Sequence, residues 1–524
     1  MGKFTRGSLN PAAQPPAVVD GGANPPPASC LIDRVAYIAD VTNASTAMCN
    51  TTDNTDNHGV TIQVTFVVGD PPLVSYLCAH CIGSQFAYDP VIVATEGRLA
   101  LLAIDIGRSC SGRGRKHYIY YAGDTSRGMD PSLKRLPDPD PAPQSLHRFY
   151  DGYHLGLLRR PRPQSQPQLQ GGGFLRPPCN YRAQEEEHVS YVVAGLFLKH
   201  KPSASGHLFD LYLYSSDTNK WSIQDQEPPL LLLQHQQQRA GGGGFDFVTN
   251  KAISIGGEHG GSTTMCFVDL QQGILQYNVL DSIPGLRYCP MPPPLEPNPV
   301  TMVQSYPQAF RDVAIIDGGR RIKCAQLHLD VTLNCEDSNW VDWTVPSYHG
   351  WKAATWSMDA AYPSSGWRQD SEVVHASEIG STIDPPLLQL PPYEFDGDQG
   401  PPLPLTFEKL HTSLPVISLH DDGKDVVYFM TKVHSYHKAA LVIAVDMSNK
   451  TTQQVIQFLP GKFMERAFVH SRISKFLSMA PGSSSRLGHK RKHETTRDGD
   501  TNDMFVLMSD TVMMEPNNPH PAET

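Results

Sequence analysis

Residues 415–458, PVISLHDDGKDVVYFMTKVHSYHKAALVIAVDMSNKTTQQVIQF, place the tightest constraint on what this chain can fold into. Val416 to Leu419 and Val426 to Met430 are short β-prone apolar runs flanking the turn cluster Asp421-Asp422-Gly423-Lys424. Leu441 to Val445 leads through Asp446-Met447-Ser448-Asn449-Lys450 into a further arm, Val455 to Leu459. Such runs are too short for stable helices, and Asp, Asn and Gly supply the backbone conformations that tight hairpins require.

The same unit of strand, turn and strand recurs along the chain. Pro90 to Ala103 contains VIVATEGRLALLA with Glu96-Gly97 at its turn, and Leu208 to Trp221 reads LFDLYLYSSDTNKW. Met265 to Tyr277 reads MCFVDLQQGILQY, and Val313 to Leu327 reads VAIIDGGRRIKCAQL. The turns near 217, 271 and 318 lie about fifty residues apart, the spacing of kelch-like propeller blades. A total of 45 Pro and 42 Gly works against long helices. The best helical period is Glu465 to Leu477, read as a short closing helix through Phe468, Ile473, Phe476 and Leu477. The fold class is therefore expected to be all-β, mainly antiparallel and β-propeller-like.

Composition divides the chain. Residues 1–28 are rich in Pro, Ala, Gly and Asn and are expected to be a disordered tail, as are residues 481–524, which are polar and charged. The β domain is expected over 29–480, with low-complexity insertions at about 129–179 and 231–244. A net charge of −10 argues against general nucleic-acid binding. No apolar run approaches the roughly 20 residues needed to span a bilayer, so a cytoplasmic location is expected. The basic run around Lys490, Arg491 and Lys492 adds nuclear import as an expectation.

Further candidate sites fall into three groups. Cys78-Ala79-His80-Cys81 has zinc-knuckle spacing, but no second pair follows, so the segment reads as strand and no metal or cofactor is expected. Asp421 and Asp422, with His420 and Asp425 beside them, could hold calcium or move a proton; turn geometry explains them more simply, as it does Asp269, Asp317 and Asp446. Five of the six tryptophans, Trp340, Trp343, Trp351, Trp356 and Trp367, crowd into one stretch. Trp343 is expected in the core, whereas Trp351 and Trp367, near Gly and Ser, are the candidates for a binding surface. Walker, Gly-x-Ser-x-Gly, His-Glu-x-x-His and dinucleotide motifs do not occur.

Residues 191 to 458 resemble the large plant family catalogued as domain of unknown function 1618, expanded in grasses. The resemblance rests on Tyr191-Val192-Val193-Ala194, the Leu211 to Trp221 strand, Phe267-Val268-Asp269-Leu270 with Gly273-Ile274-Leu275, Arg311 to Lys323 around Asp317-Gly318, Trp343-Thr344-Val345, and Asp421 to Phe429 with Val445-Asp446-Met447. Cys266-Phe267 stands where a Trp is usual, and Gly423-Lys424 where a Pro is usual. The resemblance implies a propeller-like domain similar to those that follow F-boxes, although no F-box pattern precedes it here, and it implies no catalytic residue or cofactor. The expected function is a non-enzymatic interaction module that binds a protein or peptide through loops at one end. The alternative is a hydrolase or lectin-like protein that uses the central funnel.

Overall fold

The computed structural model describes residues 26–52, 58–107, 115–124, 128–140, 149, 154–160, 189–199, 208–239, 246–256, 263–279, 285–296, 306–334, 345–361, 365–379, 406–420, 424–432, 440–458 and 468–477. They form six mostly antiparallel sheets that follow one another along the chain. The first holds β1 (Cys30–Asp33), β2 (Tyr37–Ile38), β3 (Ala47–Thr52), β4 (Gly59–Val67) and β5 (Val74–Ile82). The second runs in order β6 (Phe86–Glu96), β7 (Leu99–Ile106), β8 (Lys116–Tyr121) and β9 (Ser132–Arg135). The third is β10 (Leu155–Arg159), β11 (Tyr191–Leu198), β12 (Phe209–Ser215) and β13 (Lys220–Gln226), followed by helix α1 (Leu230–Arg239).

The fourth sheet is β14 (Lys251–Ile255), β15 (Thr264–Asp269), β16 (Gly273–Asn278) and β17 (Leu286–Pro290). The fifth is built on the long hairpin of β19 (Arg321–Asn334) and β20 (Val345–Asp359), flanked by β18 (Arg311–Ile316) and by the short β21 (Arg368–Gln369) and β22 (Val374–His375). The sixth is β23 (His411–Ile417), β24 (Val426–Lys432), β25 (Ala440–Asp446) and β26 (Thr451–Phe458). The last strand, β27 (Phe468–Ser471), returns to the first sheet and pairs antiparallel with β1, Cys30 opposite Ser471 and Asp33 opposite Phe468. The two ends of the described fold are thus joined by backbone hydrogen bonds.

Up-and-down connection follows from turn chemistry. Gly97 opens the two-residue turn between β6 and β7 with φ 55°, a region glycine enters without the Cβ clash of other residues. Asp317, Gly318 and Gly319 all take positive φ between β18 and β19. Asp269 accepts hydrogen bonds from the backbone N–H groups of Gln271 and Gln272, and Asp446 from those of Ser448 and Asn449. In each case a short acidic side chain satisfies donors that the turn leaves outside the ladder.

Apolar side chains from both faces of most strands are buried, which gives a separate core between each sheet and the next. Ile62, Leu77, Leu102 and Tyr118 join the first and second sheets, and Leu101, Leu157, Val193 and Tyr214 join the second and third. Leu196 and Phe267 join the third and fourth, Val268 and Cys324 the fourth and fifth, and Trp351 and Phe429 the fifth and sixth. A sixth core sets Leu31 and Val74 of the first sheet against Tyr428 and Val442 of the sixth. Each such buried side chain contributes roughly 1.5–3 kcal/mol, so stability is spread around all six interfaces.

Four expectations are corrected. The closing segment is not an α-helix: Phe468 to Ser471 is strand and Ile473 to Phe476 a single 3-10 turn, because pairing with β1 satisfies more backbone than an isolated helix could. The 129–179 segment is not wholly an insertion, since β9 and β10 lie within it and Phe149, fully buried, packs against Phe197, Tyr212 and Trp221. Residues 230–239 of the second expected loop form α1; leucine and glutamine are good helix formers, and Leu232 is buried against the third and fourth sheets. The fifty-residue spacing of turns does not mark equivalent positions. The turn near 217 joins third and fourth strands, that near 271 second and third, and that near 318 first and second.

Candidate functional site

The first strands of the sheets converge. A cavity of about 150 Å³ is lined by Ala94 to Gly97 of β6 and its turn, Leu157 and Arg159 of β10, and Lys251 to Ser254 of β14. Asp312, Ala314 and Ile315 of β18, Ile417 of β23, and His470 and Ser471 of β27 complete it, with Arg472 and Phe476 beyond. A neighbouring space of about 110 Å³ shares Ala94, Lys251, Asp312 and His470 but extends to Val93, Asn250, Arg311, Leu414 and Phe468. On these strands residue numbers fall toward the second space and rise toward the first, so they run in the same sense past a common polar centre.

His470 lies at that centre in a Ser–His pair. Its Nε2 stands 3.0 Å from Ser29 Oγ, which is 3.4 Å from His420 Nε2. Its Nδ1 lies 2.9 Å from the Ile417 carbonyl and 3.1 Å from the Leu419 N–H. Both neutral tautomers are therefore satisfied. With the proton on Nδ1, the ring donates to Ile417 and accepts from Ser29; with it on Nε2, the ring donates to Ser29 and accepts from Leu419. Burial pushes the imidazole down to about 3, helped by His420, Arg472 and Lys251, and only the Ile417 carbonyl opposes it. A neutral His beside a serine hydroxyl has the composition of a nucleophilic pair, but Ser29 is fully buried, so no substrate carbonyl reaches its Oγ. The pair clasps residue 29, the β23 end and β27 together.

The other polar groups of the cavity come from separate sheets. Ser254 Oγ donates to Glu96 Oε2 at 2.7 Å, and Lys251 Nζ meets Asp312 Oδ1 at 2.6 Å, while Asp312 Oδ2 accepts the Ile417 N–H at 3.0 Å. Arg472 donates to the Leu419 carbonyl. Glu96 is enclosed by protein yet keeps part of its surface open to the cavity. Burial raises its carboxyl to about 7, against the hydrogen bond from Ser254 and the charges of Arg159 and Arg472.

This shift has a sign that can be measured. The folded protein holds the Glu96 proton more tightly than the unfolded chain does, so this group's contribution is fully present below the ordinary carboxylate range and is lost as pH rises to about 7. Glu96→Gln removes the cost of the buried anion. The substitution is expected to raise stability by about 2 kcal/mol more at pH 8 than at pH 5, read from urea unfolding. A gain equal at the two pH values, or a loss at pH 8, would show that Glu96 ionises normally.

Apart from His420, the residues singled out in the sequence lie elsewhere. Trp351 is corrected from surface to core: it is 1% exposed, stacks at 5.2 Å on Phe429, and donates its indole N–H to the Phe407 carbonyl. An alternating position on β20 faces the next sheet, and neighbouring Gly350 does not change that. Trp367 is partly exposed, with its indole N–H on the Pro290 carbonyl. Cys78 and Cys81 sit on one strand at an odd separation, so they face opposite sides and enter different cores. Burial pushes the Cys78 thiol to about 12. Asp317 reaches Arg321 at 3.3 Å across its turn.

His420 belongs to the Ser29–His470 group, whereas His375 pairs across β22 with Lys352 of β20. Asp421, Asp422, Trp340, Trp343 and the Lys490, Arg491, Lys492 run lie outside the described residues. Sequence reasoning had named Glu96 only as a turn residue and passed over Arg159, Lys251, Ser254, Asp312, His470 and Arg472. They come from four strands, β10, β14, β18 and the end of β27, and no local spacing links one strand's residues to another's.

Glu296, His328 and Asp330 bring ligand-type atoms within 4.8 Å of one another. The ammonium of Lys352 already sits on Glu296, so a cation is supplied by the chain itself. Among the described residues no helix is long and apolar enough to cross a membrane. No curated protein matches the chain. Residues 267–428, from the second strand of the fourth sheet into the second strand of the sixth, match the family described as protein of unknown function (DUF1618), which supports that family for this part of the chain.

Proposed function

We propose that the six sheets are the blades of a β-propeller-like domain and that the chain is a non-enzymatic interaction module binding a protein or peptide at one end of it. The convergence of first strands on a single cavity carries this reading. It gives a rigid frame whose turns and loops meet at one mouth, the arrangement that interaction propellers use. A groove of about 430 Å³ lies between the fourth and fifth sheets, lined by Ile255, Arg287, Arg320 and Asp359 among others. Its mixed polar and apolar lining, with Arg287, Arg320 and Asp359 as charged groups, offers both hydrogen bonds and apolar contacts to a peptide.

The hydrolase alternative loses ground because Ser29 is sealed and the other polar groups of the cavity are largely committed to one another. Selection from a displayed peptide library on the purified full chain tests the proposal. Enriched peptides are expected to share a consensus and to bind one to one by calorimetry, while ester, glycoside and phosphate substrates show no turnover above buffer. Turnover that Ser29→Ala abolishes would overturn it, as would a library that yields no consensus.

A further inference from the structure

Among the described residues, the lining of the cavity mouth carries more cations than anions. Arg159, Lys251 and Arg472 face it as cations, against Glu96 and Asp312. Asp312 is matched by Lys251 and by the Ile417 N–H. That leaves Arg159 opposite Glu96, with Arg472 beside it donating to the Leu419 carbonyl, and the enclosure of Glu96 makes it a weak anion that also accepts from Ser254. Among the described residues the Arg159 guanidinium has no hydrogen-bond acceptor.

We propose that this mouth is a recognition site for a carboxylate of the bound peptide, with Arg159 as its pairing group and Arg472 and Lys251 supplying positive potential. The assignment rests on the interaction-module reading and deepens it by naming the chemical group recognised. A guanidinium presents paired N–H donors that match a carboxylate's two oxygens. At about 150 Å³ the space admits roughly five waters at ~30 Å³ each, enough for the tip of an acidic side chain or a terminal carboxylate. It falls short of the roughly 300 Å³ at which small-molecule pockets begin, so it suits a single anionic group of a larger ligand. A carboxylate arriving beside Glu96 drives that residue to take up a proton. Glu96 is faced by Ser254 and Lys251 from β14, Arg159 from β10, and His470 and Arg472 from the β27 end, and the proton it takes up comes from the buffer.

Calorimetry on the full chain tests the site with N-acetylglutamic acid α-amide for a side-chain carboxylate and N-acetylalanine for a terminal one. N-acetylglutamine amide and inorganic phosphate serve as controls. At least one carboxylate is expected to bind, with up to about 0.5 proton taken up at pH 7 as judged from buffers of different ionisation enthalpy. Arg159→Gln is expected to weaken binding about tenfold or more, and Glu96→Gln to keep binding but abolish the proton uptake. Arg160→Gln, whose parent side chain pairs with Asp217 outside the cavity, leaves binding unchanged. The preferred arm identifies the source of the carboxylate. Failure of both carboxylates to bind, equal binding by the Arg159→Gln variant, or tighter binding of phosphate overturns the site, while library-selected peptides that still bind would leave the module itself standing.

Discussion

Lys323→Met is expected to destabilise the protein by about 3–5 kcal/mol, although the two side chains are close in length. Lys323 on β19 and Asp425 just before β24 are each buried, and Nζ lies 2.6 Å from Oδ1 across the interface of the fifth and sixth sheets. Thr355 Oγ1 donates to Asp425 Oδ2 at 2.6 Å, and Asp370 stands 3.5 Å from the same ammonium. Removing the lysine leaves a buried carboxylate with one hydroxyl for compensation. Replacing both partners by apolar groups removes the desolvation cost as well as the attraction, so Lys323→Met/Asp425→Leu should regain at least half of the loss. Denaturant midpoints of the parent, the two single variants and the double variant complete the cycle. Independent, additive costs for the two singles would mean that the pair is not coupled.

That ion pair could not be read from the sequence, and the reason applies to the cavity too. Local signals were legible where one hairpin contains both strand and turn: Glu96-Gly97, Asp317-Gly318 and Asp446 to Lys450 all join paired strands. What brings Lys323 to Asp425, or Glu96 to Ser254, is the stacking of one sheet against another, and the partners are separated by 102 and 158 residues. Low-complexity composition misled in the opposite direction. The Gln-rich stretch at 231–239 has no strong apolar period, yet one buried face at Leu232 and the Tyr288 hydroxyl on His235 are enough to hold a helix. The Pro-rich surroundings of Leu155 to Arg159 likewise hid a strand whose five residues, the first four buried in a row, are too few to stand out.

Trp351 and Trp367 separate packing from recognition most sharply. Trp351→Ala is expected to cost about 3–5 kcal/mol, since it opens a void beside Phe429 and leaves the Phe407 carbonyl without its indole donor. Trp351→Phe should cost less, because it retains the ring contact and loses only the donor and part of the volume. Trp367→Ala, at a partly exposed position, should cost no more than about 1–2 kcal/mol. Urea unfolding of the three variants checks the order, and a Trp351→Ala cost as small as that at Trp367 would return Trp351 to the surface. The difference also governs how binding data are read. A ligand lost in Trp351→Ala reports the collapse of the fifth and sixth sheets' shared core, whereas one lost in Trp367→Ala with stability kept reports a contact. Of the two tryptophans first marked as a binding surface, only Trp367 can therefore serve as a probe of the partner, and its variant belongs beside Arg159→Gln in any test of peptide binding.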